Sequence, residues 1–145
     1  MTGLTYALVN QYIAEAQAVA KSETERLAVQ LAAKMNAPST GIKRKRNPHV
    51  EPKNESKAEK EVRSWEDLIL EEIHTALCTE RKKYRKEVAD LKHNAKLLIA
   101  GIAGYVAAKL GVPVAVVAAL VASLLNILLG MGVSVFCKRF EAGML

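Results

Sequence analysis

The stretch Val112–Phe136, VPVAVVAALVASLLNILLGMGVSVF, decides the fold. Its 25 residues carry no formal charge, and fourteen of them are Leu, Ile, Val or Phe. As one helix it would run about 37 Å, against about 30 Å of bilayer hydrocarbon. At about −0.3 to −0.6 kcal/mol for each such side chain, insertion is favoured by roughly 4 to 8 kcal/mol, before the costs of Asn126 and the small polar residues. The stretch is predicted to be a transmembrane helix.

Immediately before it, Leu97–Leu110 forms a shorter apolar segment, extending back to about residue 95. Gly111-Val112-Pro113 supplies a turn between the two, because Pro113 disfavours helix at Val112 and can open a new one. The expectation is a helical hairpin over residues 97–137, with helices at about 95–110 and 113–136. Across these 41 residues the only charge is Lys109, although the chain has 36 charged side chains in 145 residues and a net charge of +6. Bases flank the run on both sides. Arg81, Lys82, Lys83, Arg85, Lys86, Lys92 and Lys96 precede it, and Lys138 and Arg139 follow it. These residues are expected to meet anionic lipid headgroups. By the positive-inside rule both termini lie in the cytoplasm, at a plasma or inner membrane. Residues 138–145 are then a short cytoplasmic tail.

The rest of the chain reads as all-α. Residues 1–36 hold three bases and three acids and form one or two amphipathic helices. Leu4, Leu8, Tyr12, Ala16 and Val19 make one stripe, and Leu27, Leu31 and Met35 continue it. Ser22 and Glu25 have capping-box spacing and can restart the helix. Residues 37–56 contain Pro38, Gly41, Pro48 and Pro52 and read as a flexible linker. Its basic cluster, Lys43 to Arg46, has no interleaved aromatic residues, so a nucleic-acid partner is not expected. Residues 57–96 form a charged amphipathic helix with Trp65, Leu68, Ile69, Ile73, Ala76 and Leu77 on one face. Its first half is acidic, with six acids against Arg63 alone over residues 61–80, and its second half is the basic collar. The start, Met1 to Tyr6, has neither a basic region nor an apolar core, so no cleavable signal peptide is expected.

Two patterns suggest how the helices pair. Small residues form stripes along the hairpin: Gly104 on the first helix, and Ala119, Ser123, Asn126, Gly130 and Ser134 on the second. Such stripes bring membrane helices together. They either face each other within one hairpin, or the Ser123, Asn126 and Ser134 edge faces copies of the chain and lines a pore. A heptad seam runs through Tyr84, Val88, Leu91, Ala95, Leu98, Ile102 and Tyr105, and a homo-oligomer is the expectation that follows.

Nothing in the sequence marks an enzyme. There is no nucleophile elbow, phosphate-binding glycine loop, HExxH motif or catalytic carboxylate pair, so no catalytic residue or cofactor is expected. His74 and Cys78 are spaced i, i+4, but His93 lies about 22 Å beyond Cys78 on a straight helix and Cys137 at the far end of the hairpin. No metal site is expected. Both cysteines are read as reduced thiols, with Cys137 open to S-acylation at the membrane edge.

Over about residues 81–139, a Lys-rich amphipathic helix leading into an Ala- and Gly-rich hairpin resembles, in architecture only, the hydrophobic hairpin of pore-forming colicins. The charge-flanked outline is similar to that of small bacteriophage holins. The resulting expectation is a small, self-associating integral membrane protein. Its hairpin anchors or permeabilises a bilayer while its cytoplasmic helices bind a protein partner. The alternative is a soluble oligomeric helical interaction protein. A helix apolar on every side must be covered on every side. Residues 1–36 and 57–96 offer one apolar stripe each, so the soluble form is expected to bury the hairpin in an oligomer core.

Overall fold

The computed structural model describes residues 4–36, 56–78 and 91–143, which form six helices and no strand. They are α1 (Tyr6–Val19), α2 (Glu23–Asn36), α3 (Lys57–Cys78), α4 (Leu91–Leu110), α5 (Val114–Met131) and α6 (Val133–Glu141). The protein is all-α, as its sequence pattern requires.

Local chemistry sets most of the boundaries. The Thr5 side chain accepts a hydrogen bond from the Leu8 N–H at the start of α1, 3.2 Å. Ser22 does the same for Glu25 at 3.1 Å, and its hydroxyl donates to Glu25 Oε1 at 3.2 Å. This satisfies orphan groups at the α2 start and separates residues 1–36 into two helices. Ser56 caps α3 through the Glu59 N–H, 3.2 Å. At Gly111, φ is +68°, and the Gly111 and Val112 N–H groups both bond back to the Ala107 carbonyl, at 2.8 and 3.2 Å. Pro113 then caps α5 from an extended conformation. The turn expected at Gly111-Val112-Pro113 is present.

The long apolar run is not one helix. It breaks at Gly132, where φ is +104° and ψ is 134°. Its N–H closes α5 on the Leu128 carbonyl at 2.9 Å, and its own carbonyl accepts the Phe136 N–H at 3.1 Å to start α6. The second helix therefore ends at Met131 rather than near residue 136. α5 has 18 residues, about 27 Å.

α5 is the hub, in contact with each of the other five helices. Eleven of its eighteen residues are buried, among them Val116 to Leu125 without interruption. The covering faces are amphipathic. α1 turns Val9, Ile13 and Ala16 inward, and α2 turns Ala28, Val29 and Ala32 inward. The centre of the α2 stripe is thus one position along from Leu27, Leu31 and Met35, which are half-buried. Small side chains there let the two backbones approach. The Ser123 hydroxyl of α5 donates to the main-chain carbonyl of Ala32, 3.1 Å away. The α1–α2 pair is tied by Asn36 Nδ2 donating to Asn10 Oδ1, 2.7 Å.

α3 packs on α2, α4, α5 and α6, burying Val62, Trp65, Ile69, Ile73 and Ala76 at helical spacing. α4 covers α5 with Leu98, Ile99, Ile102, Ala103, Val106 and Ala107. Because α3 and α4 lie against each other, residues 57–110 do not form one straight rod. Much of the cover that the sequence assigned to an oligomer is supplied within one chain.

The Gly132 break requires a conformation that side chains with a Cβ rarely adopt. Gly132→Ala should lower the unfolding free energy by about 1 to 3 kcal/mol, whereas Gly104→Ala, at a helical position with open space around it, should not. Urea denaturation followed by circular dichroism measures both, and equal effects would contradict this role for Gly132.

Candidate functional site

Two features stand out: the apolar helix α5 with its flanks, and a junction that fixes the end of α6 to α3. Among the described residues α5 is the one helix long and apolar enough to cross a membrane. The exposed large hydrophobic residues concentrate around it. Of the five in the described part, four lie on α4, α5 or α6: Leu97 (58% exposed), Val114 (51%), Ile127 (42%) and Val135 (41%). Leu97 sits beside the exposed Lys96, and Lys109 is exposed near the other end of α4. The Lys109 ammonium lies over the Tyr105 ring, 4.8 Å from its centroid.

The residues expected to line helix contacts or a pore separate into two groups. Ala119 and Ser123 are fully buried against the protein's own helices, with Ser123 held to Ala32. Gly104 and Asn126 are half-buried, and Gly130 and Ser134 are exposed. Ser123 and Ser134 thus do not share one environment. Of the heptad seam, Leu98 and Ile102 are buried and Tyr105 is half-buried. Tyr84, Val88 and the Leu91 side chain lie outside the described residues. So do Arg81, Lys82, Lys83, Arg85, Lys86 and the Lys92 side chain of the basic collar, and the Lys43–Arg46 cluster. Lys96, Lys138 and Arg139 are described, and all three are exposed.

The junction was not foreseen. Cys78, the last residue of α3, forms a disulfide with Cys137 in α6, their Cα atoms 5.7 Å apart. The sequence pattern puts Cys137 at the far end of the hairpin, away from Cys78. That geometry assumed a continuous rod through residues 57–96. With α3 lying against both α4 and α6, the two cysteines meet. Cys78 is therefore not available as a thiolate partner for His74. The His74 ring instead stacks on Phe140, centroids 4.4 Å apart, and meets Phe136 edge-on at 6.4 Å. Glu141 Oε1 lies 4.0 Å from His74 Nε2. Phe136 is fully buried and Phe140 half-buried, so one face of α6 is docked while Ser134, Val135, Lys138, Arg139 and Glu141 face outward.

A third feature is an open groove of about 450 Å³ between α2 and α3. Leu27, Leu31 and Val62 line it with Gln30, Lys34, Glu59, Arg63 and Glu66. Burial, and secondarily the neighbouring Asp67, raise the Glu66 pKa above the ordinary carboxylate value, while Arg63 partly offsets them. Thr24 on α2 donates to Glu61 Oε2 on α3 at 3.0 Å.

No protein-family model matches this chain, and no similar protein was found among curated sequences or solved structures.

Two measurements test these features. The disulfide closes a loop between residues 59 apart in sequence, which constrains the unfolded chain by about 4 kcal/mol. Cys137→Ser should lower stability by a comparable amount, and a dithiol reductant should destabilise the parent protein but not the variant. For Glu66, a raised folded-state pKa means the folded form binds the proton more tightly, so ionisation opposes folding above that pKa. Glu66→Gln should raise the urea midpoint at about pH 7, and the gain should shrink as the pH falls and vanish below about pH 3, where both states are protonated. A gain independent of pH would exclude the ionisation as its cause.

Proposed function

We propose that this protein is a membrane-active helical bundle. In its closed form, amphipathic helices sheathe the apolar helix α5. In its working form, the α4–α5 hairpin enters a bilayer bearing anionic headgroups. The observation that carries this reading is α5 itself: 18 charge-free residues, long and apolar enough to cross a membrane. Leu97, Val114, Ile127 and Val135, exposed on α4, α5 and α6, are apolar side chains that a bilayer would cover. Lys96 and Lys109 on α4, and Lys138 and Arg139 on α6, all exposed, would meet headgroup phosphates. Once inserted, the hairpin either anchors the chain or permeabilises the bilayer through association of copies. The helices left outside, α1 to α3, bind a partner or one another.

A second reading is favoured by the burial of α5. Eleven of its eighteen residues are already covered by the same chain, and a helix so covered also suits the core of a soluble interaction protein. Copies or a protein partner would then cover Leu97, Val114, Ile127 and Val135.

Vesicles of phosphatidylcholine with and without phosphatidylglycerol, floated on a density gradient, distinguish the two. The membrane reading expects the protein to float with anionic vesicles and to resist alkaline carbonate extraction. Protein left in the supernatant would exclude it. If it floats, release of an entrapped dye tests permeation. Asn126→Leu should abolish release where Asn126 lines a water path, and should leave release unchanged where the hairpin packs without one.

A further inference from the structure

We propose that the Cys78–Cys137 disulfide is a redox latch. Closed, it holds α6 folded back on α3; reduced, it lets α6 pivot about Gly132 and join α5 in one longer helix. The membrane consequence rests on the reading proposed above, but the latch itself does not.

Three observations meet at this point. First, α6 is a nine-residue helix whose outer face is solvent-exposed, so few contacts hold it. Besides the disulfide these include Phe136, Phe140 with the His74 ring stacked on it, and Glu141 4.0 Å from His74 Nε2. Second, both cysteines are half-buried rather than sealed in the core. Third, α6 is separated from α5 by one residue, Gly132, held at φ +104°. Glycine adopts helical dihedrals as well as this one, so the same residue can bend the chain or continue the helix.

The consequence is one of length. α5 alone spans about 27 Å, slightly less than the hydrocarbon thickness of about 30 Å. Straightened through Gly132, Val114 to Phe136 gives 23 charge-free residues, about 34 Å, ending at Lys138 and Arg139. The latch thus selects between a helix that only just spans and a longer one that spans with a basic anchor at its end.

The chemistry is thiol–disulfide exchange with a dithiol reductant, dithiothreitol in the assay. One reductant thiolate attacks a cysteine sulfur and displaces the other cysteine as a thiolate. The second reductant thiol then resolves the mixed disulfide. Two electrons and two protons pass to the protein, giving two cysteine thiols, and the reductant leaves as its own disulfide.

Trypsin reads the latch directly, because Lys138 and Arg139 lie on α6 and cleavage requires that helix to open locally. In the oxidised full-length chain these bonds should be cut slowly. After reduction they should be cut about ten-fold faster or more, while cleavage at Arg26 and Lys34 in α2 changes little. The Cys78→Ser/Cys137→Ser variant should be cut at the fast rate with or without dithiothreitol. Equal rates for oxidised and reduced parent protein would overturn the latch. So would two titratable thiols in protein purified under air, or an equal acceleration at α2. Flotation with phosphatidylcholine–phosphatidylglycerol vesicles adds the second reading. Binding by the reduced form alone supports the latch as a gate, and equal binding by both forms overturns it. If trypsin responds but neither form floats, the latch stands and the membrane reading fails.

Discussion

Water cannot solvate the surface of α5, and every other part of this structure answers to that constraint. A helix with one apolar stripe needs one neighbour; a helix apolar on most sides needs several. Here α1, α2, α3, α4 and α6 all contact it, each contributing an apolar stripe with most of its charges outward, although Glu72 of α3 is buried. The interfaces differ in kind. α4 and α3 contribute branched and aromatic side chains, with a large apolar area per residue. α2 contributes Ala28 and Ala32, which bury little area but allow close backbone approach, and the Ser123 hydrogen bond uses that approach. Cover is most complete along the middle of α5 and thins toward its ends, where Val114 and Ile127 reach the surface.

The two glycines that bound α5 divide the work of folding the C-terminal half. Gly111 reverses the chain so that α4 can lie on α5, and Gly132 breaks it so that α6 can reach α3. Each has a positive φ, and each sits where the chain must leave a helix abruptly. The disulfide then converts the second of these docking events from a weak surface contact into a covalent one. The junction is where the proposed redox change would alter which helices touch.

Features governed by near neighbours were legible in the sequence. Ser22 and Glu25, and Gly111-Val112-Pro113, act over three or four residues, and each does what its spacing predicts. The α3 face through Trp65, Ile69, Ile73 and Ala76 was also legible, because its period is that of the helix itself. What escaped depends on residues far apart. Gly132 lies within an apolar run that reads as continuous helix, and only the docking of Phe136 against other parts of the chain explains a break there. The Cys78–Cys137 pairing joins positions 59 apart and follows from α3 lying on α4, which no local pattern records. The α2 stripe shifted for a related reason. Large side chains were taken to mark the buried centre, whereas close packing on α5 selects Ala28 and Ala32 and leaves Leu27 and Leu31 at the margin.

The Asn10–Asn36 amide pair gives the chain's N-terminal part a completeness of its own. It joins α1 to α2 across a separation of only 26 residues, so this hairpin can form from contacts that carry a small loop-closure cost. Translation also delivers these helices first, and α3 after them, before any of α5 has been made. When the apolar helix emerges, every helix that shields it except α6 has already been made. The order of the helices along the chain thus limits how long α5 is exposed to water or to other unfolded chains during biosynthesis.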